Sequence, residues 1–267
     1  MKDSINLLQG DCLKLMEQIA DKSIDLILCD MPYGITNLSF DKNTLPFEEM
    51  WTQYNRIIKD NAAILLFSAQ PFTTDLICSN RKMFRYEIIW KKTTVTGFLN
   101  AKKMPLRAHE NICVFYKHLP TYHPQMLVLS EEDRKKKGIK IENRRRKQIK
   151  NRCKHYKNIG TSIYVDKGTR YPHDVIEFSN RNGAVFGNTA NVTKHPTQKP
   201  VPLLEYLIST YSNEQDIVLD NCMGSGSTGV ACIHTNRKFI GMEIDKNYFE
   251  IAQQRIENSL KEKEVIA

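Results

Sequence analysis

Short runs of apolar, often β-branched residues alternate along the chain with segments whose apolar positions recur every three or four residues. The first pattern is typical of buried strands, and the second is typical of helices that cover a sheet. Together they predict an α/β fold with a mostly parallel sheet. The predicted strands are Ile5–Leu8, Ile24–Leu28, Ala63–Phe67, Tyr86–Trp90, Ile112–Tyr116, Ile217–Leu219 and Phe239–Met242.

Helical spacing is clearest at three places, and it predicts helices over Phe47–Ile58, Leu203–Ser209 and Lys246–Leu260. The strand at 112–116 follows its predecessor through Pro105 without a strong helical segment between them. Parallel strands need a long crossover connection, so this strand is predicted to run antiparallel. The expected architecture is a sheet of about seven strands, one of them reversed, with helices on both faces.

The alternation stops between about residues 118 and 180. Within this stretch, Arg134 to Lys157 contains 13 Lys or Arg residues and one acid, Glu142. This segment explains the net charge of +9, because the rest of the chain is slightly acidic. We predict a basic insertion at 118–180 that divides one domain into the halves 1–117 and 181–267.

The basic run has two interpretations, a solvated surface loop or a segment that binds phosphates. The second predicts nucleic acid as a partner but gives no sequence preference. The candidate phosphate contacts are the basic side chains Lys135, Lys136, Lys137, Arg144, Arg145, Arg146, Lys147, Lys150 and Arg152.

Composition excludes several classes of protein. At 267 residues with 41% hydrophobic and 26% charged positions, the chain is typical of a globular domain. No apolar run approaches the roughly 20 residues that a membrane span needs, and no secretory leader is visible at the start. The seven cysteines form no CxxC pair, which indicates reduced thiols in the cytoplasm. Cys153 and His155 have no second pair at ligand spacing, so no metal site is predicted.

A glycine-rich segment, "VLDNCMGSGSTGVA", follows the predicted strand that ends at Asp220. Its glycines allow close approach of a ligand, and the helix that starts near Ser227 offers free N–H groups. Glu243 ends the next strand, 19 positions after Gly224, where a carboxylate can accept ribose hydroxyls. The spacing predicts a site for a nucleoside-containing cofactor. A purely structural glycine turn is the alternative.

A second motif, "HPTQKP" at 195–200, precedes the helix that starts near Leu203. Thr197 and Lys199 offer a hydroxyl and an ammonium that could hold a carboxylate beside the glycine loop. A polar segment that merely leads into a helix is the alternative.

The third motif, Asp30-Met31-Pro32-Tyr33, directly follows a buried strand. Asp30 can accept a hydrogen bond from an amino group, Pro32 fixes the direction of neighbouring carbonyls, and Tyr33 offers a face for a planar ring. This combination indicates a receptor for an aromatic amine, whereas a turn broken by Pro-Tyr-Gly is the alternative. Ligands of open α/β sheets bind beyond the carboxyl ends of strands, so this motif and the glycine loop are expected to share one crevice.

Taken together, the motifs resemble those of the amino-methylating DNA methyltransferases. The family motif [D/N/S]-P-P-Y is similar to residues 30–33, F-x-G-x-G is similar to 222–226, and "HPTQKP" matches letter for letter. "GDC" at 10–12 is also similar, and the order of motifs resembles the circularly permuted β group, whose insertion carries target recognition. The resemblance covers nearly the whole chain except about 120–170. Met31 replaces the first proline, and Cys222 replaces the phenylalanine.

The resemblance implies a Rossmann-like, S-adenosylmethionine-dependent fold and methylation of the exocyclic N6 of a flipped-out adenine in double-stranded DNA. It assigns catalysis to Asp30, Met31, Pro32 and Tyr33, and Phe40-Asp41 is predicted to belong to a loop that closes on the base. It assigns cofactor binding to Asp11, Cys12, Asp30, His195, Thr197, Lys199, Asp220, Cys222, Gly224, Ser225, Gly226, Ser227 and Glu243.

Other functions stay open from the sequence. Transfer to cytosine N4 is the nearest, although Asp at the first motif position favours adenine within the family. A nicotinamide oxidoreductase would use the glycine loop but not the other motifs, and a non-catalytic DNA-binding module that kept the fold is a further alternative. RNA or release-factor methylation ranks lower. A homodimer and a cognate restriction endonuclease are expected as possible partners.

Overall fold

The computed structural model describes residues 4–34, 44–132, 168–180 and 198–266. In these ranges the strands are β1 (Ile5–Gln9), β2 (Ile24–Cys29), β3 (Ile58–Ser68), β4 (Phe84–Thr96), β5 (Arg107–Phe115), β6 (Leu127–Val128), β7 (Thr169–Arg170), β8 (Val175–Phe178), β9 (Ile217–Asp220) and β10 (Lys238–Glu243). The α-helices there are α1 (Cys12–Met16), α2 (Phe47–Ile57), α3 (Phe72–Ser79), α4 (Val201–Tyr211), α5 (Ser227–His234) and α6 (Lys246–Ile266). Among these helices, none is both long enough and apolar enough to cross a bilayer.

One sheet of eight described strands, in the order β1-β10-β9-β2-β3-β5-β4-β8, forms the centre of the fold. Strand β5 is antiparallel to both of its neighbours, and the other pairings are parallel. The predicted reversal is therefore confirmed, and its cause is the direct connection from β4 to β5 without a crossover helix.

The eighth strand, β8, lies within the stretch predicted as an insertion. It pairs in parallel with β4 through Ile89–Val175 to Lys92–Phe178. Only Ile176 of its four residues is buried, because β8 is an edge strand with one neighbour. So short and half-exposed a segment carries little hydrophobic signal, and the expected count of about seven strands omitted it.

The chain forms two compact units. One comprises Met1–His123 with Asp174–Ala267 and contains the eight-stranded sheet, and the other is Pro124–His173. In the second unit, the described strands β6 and β7 pair antiparallel. The three-part division at 117 and 180 stays a prediction, and the basic residues between 135 and 152 lie outside the described ranges.

Two hydrophobic layers cover the sheet, one on each face. Strand β2 contributes to both, since Leu26 and Leu28 belong to one layer while Ile27 and Cys29 belong to the other. Apolar side chains of α4, α5 and α6 complete the first layer, and those of α1, α2 and α3 complete the second. Helices thus lie on both faces, as the sequence predicts, and the strand ends remain accessible for a ligand.

Candidate active site

Three neighbouring parallel strands bring the candidate residues to one edge of the sheet. Ile27 of β2 pairs with Leu219 of β9, so that Asp30 and Cys222 each follow three residues later. Gly241 of β10 pairs with Asp220, and Glu243 ends β10 at the same edge. The amine motif (residues 30–33) and the glycine loop (residues 222–226) therefore follow adjacent strands and lie side by side.

The carboxylate of Asp30 is held from two directions. Tyr33 Oη donates a 2.5 Å hydrogen bond to Asp30 Oδ1, and Lys199 Nζ donates one of 2.5 Å to Oδ2. Burial raises the pKa of the Tyr33 hydroxyl well above its ordinary value, and the charges of Asp30 and Glu110 raise it further. The phenol therefore stays protonated, and it donates at neutral pH.

Glu110, on the antiparallel strand β5, extends this network, although no sequence motif contains it. Its Oε2 lies 3.3 Å from Lys199 Nζ, and its Oε1 accepts a 2.5 Å hydrogen bond from Lys92 Nζ. Burial by itself would raise the pKa of Glu110, but Lys199 and Lys92 outweigh it and the pKa is lowered. Burial likewise opposes the charge of Lys199, yet Asp30 and Glu110 raise the pKa of that ammonium. Two carboxylates and two ammonium groups thus form an alternating, mostly buried chain.

The residues before α4 connect the amine motif with the glycine loop. Lys199 contacts Asp30, while its neighbour Gln198 accepts a 3.2 Å hydrogen bond at Oε1 from Ser225 Oγ. Pro200, with φ −65° and ψ 128°, keeps the chain extended up to the first turn of the helix. The adjacent residues Gln198 and Lys199 therefore contact the glycine loop and the amine motif, respectively.

The glycine loop is closed by Glu243. Gly224 has φ +51°, and its N–H donates a 2.9 Å hydrogen bond to Glu243 Oε2, whose partner oxygen accepts from Asp245 N at 2.8 Å. Burial raises the pKa of Glu243, and these backbone donors act in the opposite direction. Each carboxylate oxygen can accept a second hydrogen bond, so a ribose hydroxyl can still be bound there.

Gly226 serves helix packing. It has φ +79°, and a Cβ built there would lie 2.9 Å from Ala252 Cβ of α6. The loop thus requires this glycine for close contact between its own turn and α6.

Asp220 is almost fully buried, and its side chain stabilises the glycine loop through two hydrogen bonds. Its Oδ2 accepts a 2.6 Å hydrogen bond from the Thr228 hydroxyl, and its Oδ1 accepts one of 3.1 Å from Cys222 N. Burial raises the pKa of Asp220 to about 7, although both hydrogen bonds favour the ionised form.

Arg255 of α6 is a second residue that the sequence analysis missed. Its Nη1 donates to the carbonyl of Ser225, to Ser225 Oγ at 2.9 Å and to Ser227 Oγ at 3.3 Å. These contacts fix the two serines at the start of α5. An arginine in a charged C-terminal helix is usually a surface residue, so no sequence signal distinguishes this one.

The start of α1 lies beside Glu243. Asp11 caps α1 by accepting a 2.9 Å hydrogen bond from Leu13 N, and Gly10 N donates to the carbonyl of Glu243 at 2.9 Å. Cys12 is buried, and its sulfur lies 3.6 Å from the amide nitrogen of Asn221, which is 3.7 Å from Cys222 Sγ. The "GDC" segment and the glycine loop are therefore in contact.

Two residues of the amine motif also pack into the protein. Met31 is only 2% exposed and belongs to the hydrophobic layer that α1, α2 and α3 complete. The ring of Tyr33 stacks on Phe72 with centroids 5.1 Å apart and planes at 24°. His195, Thr197, Phe40 and Asp41 lie outside the described residues.

Comparison with known proteins identifies relatives of the chain along most of its length. A family model described as DNA methylase, for N6 and N4 methyltransferases, matches residues 24–254. The Type II methyltransferase M1.MboII of Moraxella bovis is 30% identical over 90% of this chain and 92% of its own. The DNA adenine methyltransferase YhdJ of Escherichia coli strain K12 is 29% identical over 94% of this chain and 82% of its own.

Solved structures share the fold. The M1.HpyAVI–SAM complex has a TM-score of 0.57 at 22% identity and covers 94% of this chain and 99% of its own. The cytosine-N4-specific PvuII DNA methyltransferase has a TM-score of 0.63 at 16% identity and covers 97% of this chain and 92% of its own. Both likenesses support the α/β architecture described above.

Proposed function

The chain belongs to the DNA methylase family, and from this membership we propose that it transfers a methyl group from S-adenosylmethionine to the N6 amino group of adenine in double-stranded DNA. Asp at position 30 favours adenine, and the relative YhdJ is named a DNA adenine methyltransferase. The cytosine-N4 specificity in the name of the PvuII enzyme makes cytosine the second candidate.

The observation that carries the proposal is the double contact made by Gln198 and Lys199. Lys199 pairs with the carboxylate that would receive the amine, and Gln198 contacts the loop that would hold the methyl donor. Transfer between two bound molecules requires both to be fixed in one geometry, and positioning of this kind lowers a barrier by several kcal/mol.

The residues around the loop fit S-adenosylmethionine. Helix α5 begins at Ser227, the preceding Gly226 offers no side-chain cap, and the first turn contains no acid, so its N–H groups suit an anionic carboxylate. Gly10, which precedes Asp11, donates its N–H to the carbonyl of Glu243, and the carboxylates of Asp11 and Glu243 can accept hydrogen bonds from hydroxyl and amino groups. When bound, the cofactor supplies an electrophilic methyl group on a positively charged sulfur.

Asp30 prepares the target amine. An exocyclic amine is a weak nucleophile because its lone pair is delocalised into the ring. Asp30 and the carbonyl of Met31 accept hydrogen bonds from its two hydrogens, which localises electron density on nitrogen. As the nitrogen bonds to the methyl carbon, the bond between that carbon and the sulfonium sulfur would break and leave its electron pair on a neutral thioether. Asp30 would then accept the proton that the nitrogen loses. The Lys199 ammonium stabilises the carboxylate before this step.

Tyr33 provides a surface for the base. Stacking on Phe72 fixes its ring, so an extruded adenine meets a flat face in one orientation. Extrusion is needed because the N6 atom cannot be reached inside a duplex. The basic segment 134–157 offsets part of the free-energy cost of extrusion by binding phosphates.

Several finer expectations stay predictions: the homodimer, the cognate restriction endonuclease, the cytoplasmic location and membership of the β group with permuted motifs.

Sequencing modified bases in genomic DNA from cells that express the chain tests the proposal. N6-methyladenine at one repeated sequence is expected, and cells expressing Asp30→Asn should lack it. N4-methylcytosine would favour the second candidate. The absence of both, together with calorimetric binding of NAD in place of S-adenosylmethionine, would support the oxidoreductase alternative.

A further inference from the structure

The connection between β4 and β5 forms an exposed apolar tip, which we call the hairpin tip and define as residues 97–105. All nine residues are exposed. Phe98 is 66% exposed, Leu99 is fully exposed, and Met104 is 49% exposed. Single exposed apolar residues are common on protein surfaces, but three within seven positions form a patch that suggests a binding partner.

The hairpin tip has a defined backbone structure. Phe98–Asn100 forms a 3₁₀ turn that follows Gly97, whose φ is +93°. Lys103 N and Met104 N both donate to the carbonyl of Asn100, at 2.8 and 3.0 Å. The apolar side chains are therefore presented on an ordered turn.

The hairpin stem is held as well. Thr96 pairs with Arg107 across the hairpin. On the other side, Asn180 accepts from Thr94 N at 3.0 Å and donates to Thr94 O at 2.9 Å.

The hairpin tip leaves the sheet at the edge that carries Asp30. Cys29, Leu66, Cys113 and Glu87 form one row across β2, β3, β5 and β4. Because β4 runs parallel to β2, its continuation from Glu87 to Thr96 points beyond this edge. Nine residues at about 3.3 Å each carry the tip roughly 30 Å outward. This length is sufficient to reach the stacked bases of a duplex that lies across the site.

The charge of this segment selects the partner. Between Lys91 and His109 the sequence contains Lys92, Lys102, Lys103 and Arg107 but no acid. A second copy of the chain docking tip to tip would bring like charges together. The phosphates of DNA are complementary to them, and apolar side chains such as Phe, Leu and Met are those that enter between base pairs.

We propose that the hairpin tip inserts into the DNA beside the target base pair, where Phe98 and Leu99 occupy the space left by the extruded base while Lys102 and Lys103 contact flanking phosphates. The proposal rests on the function proposed above and assigns to this chain a DNA contact outside the basic segment. An inserted side chain prevents the extruded base from returning to the stack. It should therefore increase the rate of methyl transfer only where the target adenine must first be unpaired.

The test uses the double variant Phe98→Ala/Leu99→Ala. Two duplexes contain the recognised site found by sequencing, one with the target adenine paired and one with it opposite an abasic position. Single-turnover methyl transfer is measured on both, and fluorescence of 2-aminopurine at the target position reports extrusion. Leu119→Ala is the matched control, because Leu119 is 80% exposed but follows β5 at the opposite edge of the sheet.

The double variant should lose at least about tenfold in rate on the paired duplex and less than about threefold on the abasic duplex. The 2-aminopurine fluorescence of the double variant should fall, and its thermal unfolding midpoint should equal that of the wild type. Leu119→Ala should show the wild-type rates and fluorescence. Equal losses on both duplexes, or no loss on either, would overturn the insertion. A change in sedimentation without a change in extrusion would assign the tip to self-association and also overturn it. If the wild-type chain methylates neither duplex, the proposed function itself is wrong.

Discussion

Lys199 Nζ lies 2.5 Å from Asp30 Oδ2, although 169 positions separate the two residues in the chain. The resemblance assigned Lys199 to cofactor binding, and that role stays a prediction. Its ammonium is directed at the two carboxylates of Asp30 and Glu110. We infer that Lys199 chiefly fixes the acceptor of the amine, while Gln198 beside it contacts the cofactor loop.

Replacing Asp30 by Asn should abolish most methyl transfer. The amide keeps the shape of the side chain but loses the charge that withdraws a proton, so we expect the rate to fall at least about a hundredfold. Affinity for S-adenosylmethionine, measured by calorimetry, should stay within about threefold.

Asp25→Asn is the matched control for this variant. Asp25 lies on β2, the strand that leads to Asp30, but at the opposite edge of the sheet, where it pairs with Lys59 at 2.5 Å and accepts from Ile217 N. Its methyl transfer should be nearly normal. A near-normal rate for Asp30→Asn would show that the assignment of Asp30 is wrong.

Glu110→Gln should destabilise the fold, because the mostly buried ammonium groups of Lys199 and Lys92 lose the carboxylate with which both of them pair. At pH 7 the free energy of unfolding should fall by about 3 kcal/mol, as measured by urea denaturation. The lowered pKa means that the ionised carboxylate stabilises the folded state above its ordinary pKa. This contribution disappears as the pH falls through the lowered pKa. The free energies of unfolding of the wild type and of Glu110→Gln should therefore converge in acid.

The exposed pair of Glu177 with Lys91 provides the control. Glu177→Gln removes a carboxylate from the edge strand β8, where solvent screens the charge, and it should cost less than about 1 kcal/mol. Equal effects of the two glutamine variants would contradict a special role for the buried network.

The sequence predicts the strands well but not the side-chain network. The direction of β5 follows from the lack of a helix before it, and the adjacency of the motifs follows from the rule for parallel strand ends. Glu110 and Arg255 were missed because charged residues usually lie at the surface. Their burial depends on which strands and helices are neighbours, and that order is set by packing of the whole domain. Strand β8 was missed for a different reason, because a short and half-exposed edge strand carries little hydrophobic signal.

Arg255→Met should weaken cofactor binding without affecting chemistry at saturation. Methionine retains apolar packing but loses the hydrogen bonds to Ser225 and Ser227, so the start of α5 is less fixed. We expect the Kd for S-adenosylmethionine to rise about tenfold and kcat to change less than about threefold. Gln253→Met, an exposed change on the same helix, should leave both values unaltered. A fall in kcat with unchanged Kd would refute this account.

The basic segment should determine the salt dependence of DNA binding. Changing Arg144, Arg145, Arg146 and Lys147 to Gln should reduce the slope of log K against log salt concentration by about 3 to 4, because each phosphate contact contributes about 0.9. A variant with the same charge change at four exposed lysines elsewhere controls for net charge: Lys82, Lys238, Lys246 and Lys261. If both variants reduce the slope equally, the segment is not part of the DNA interface.

Asp220→Asn should change how stability depends on pH. Burial raises the pKa of Asp220 to about 7, so the folded protein retains a proton that the unfolded chain releases near pH 4. Between these values the folded state binds more protons, and the free energy of unfolding therefore falls as the pH rises. The contribution of one such group is at most about 1.4 kcal/mol per pH unit. Asn cannot titrate, so the stability of the wild-type chain relative to Asp220→Asn should decrease steadily from pH 4.5 to pH 7 in urea denaturation without cofactor. Parallel curves for the two proteins would show that Asp220 is ionised throughout, and that its hydrogen bonds with Thr228 and Cys222 N outweigh its burial.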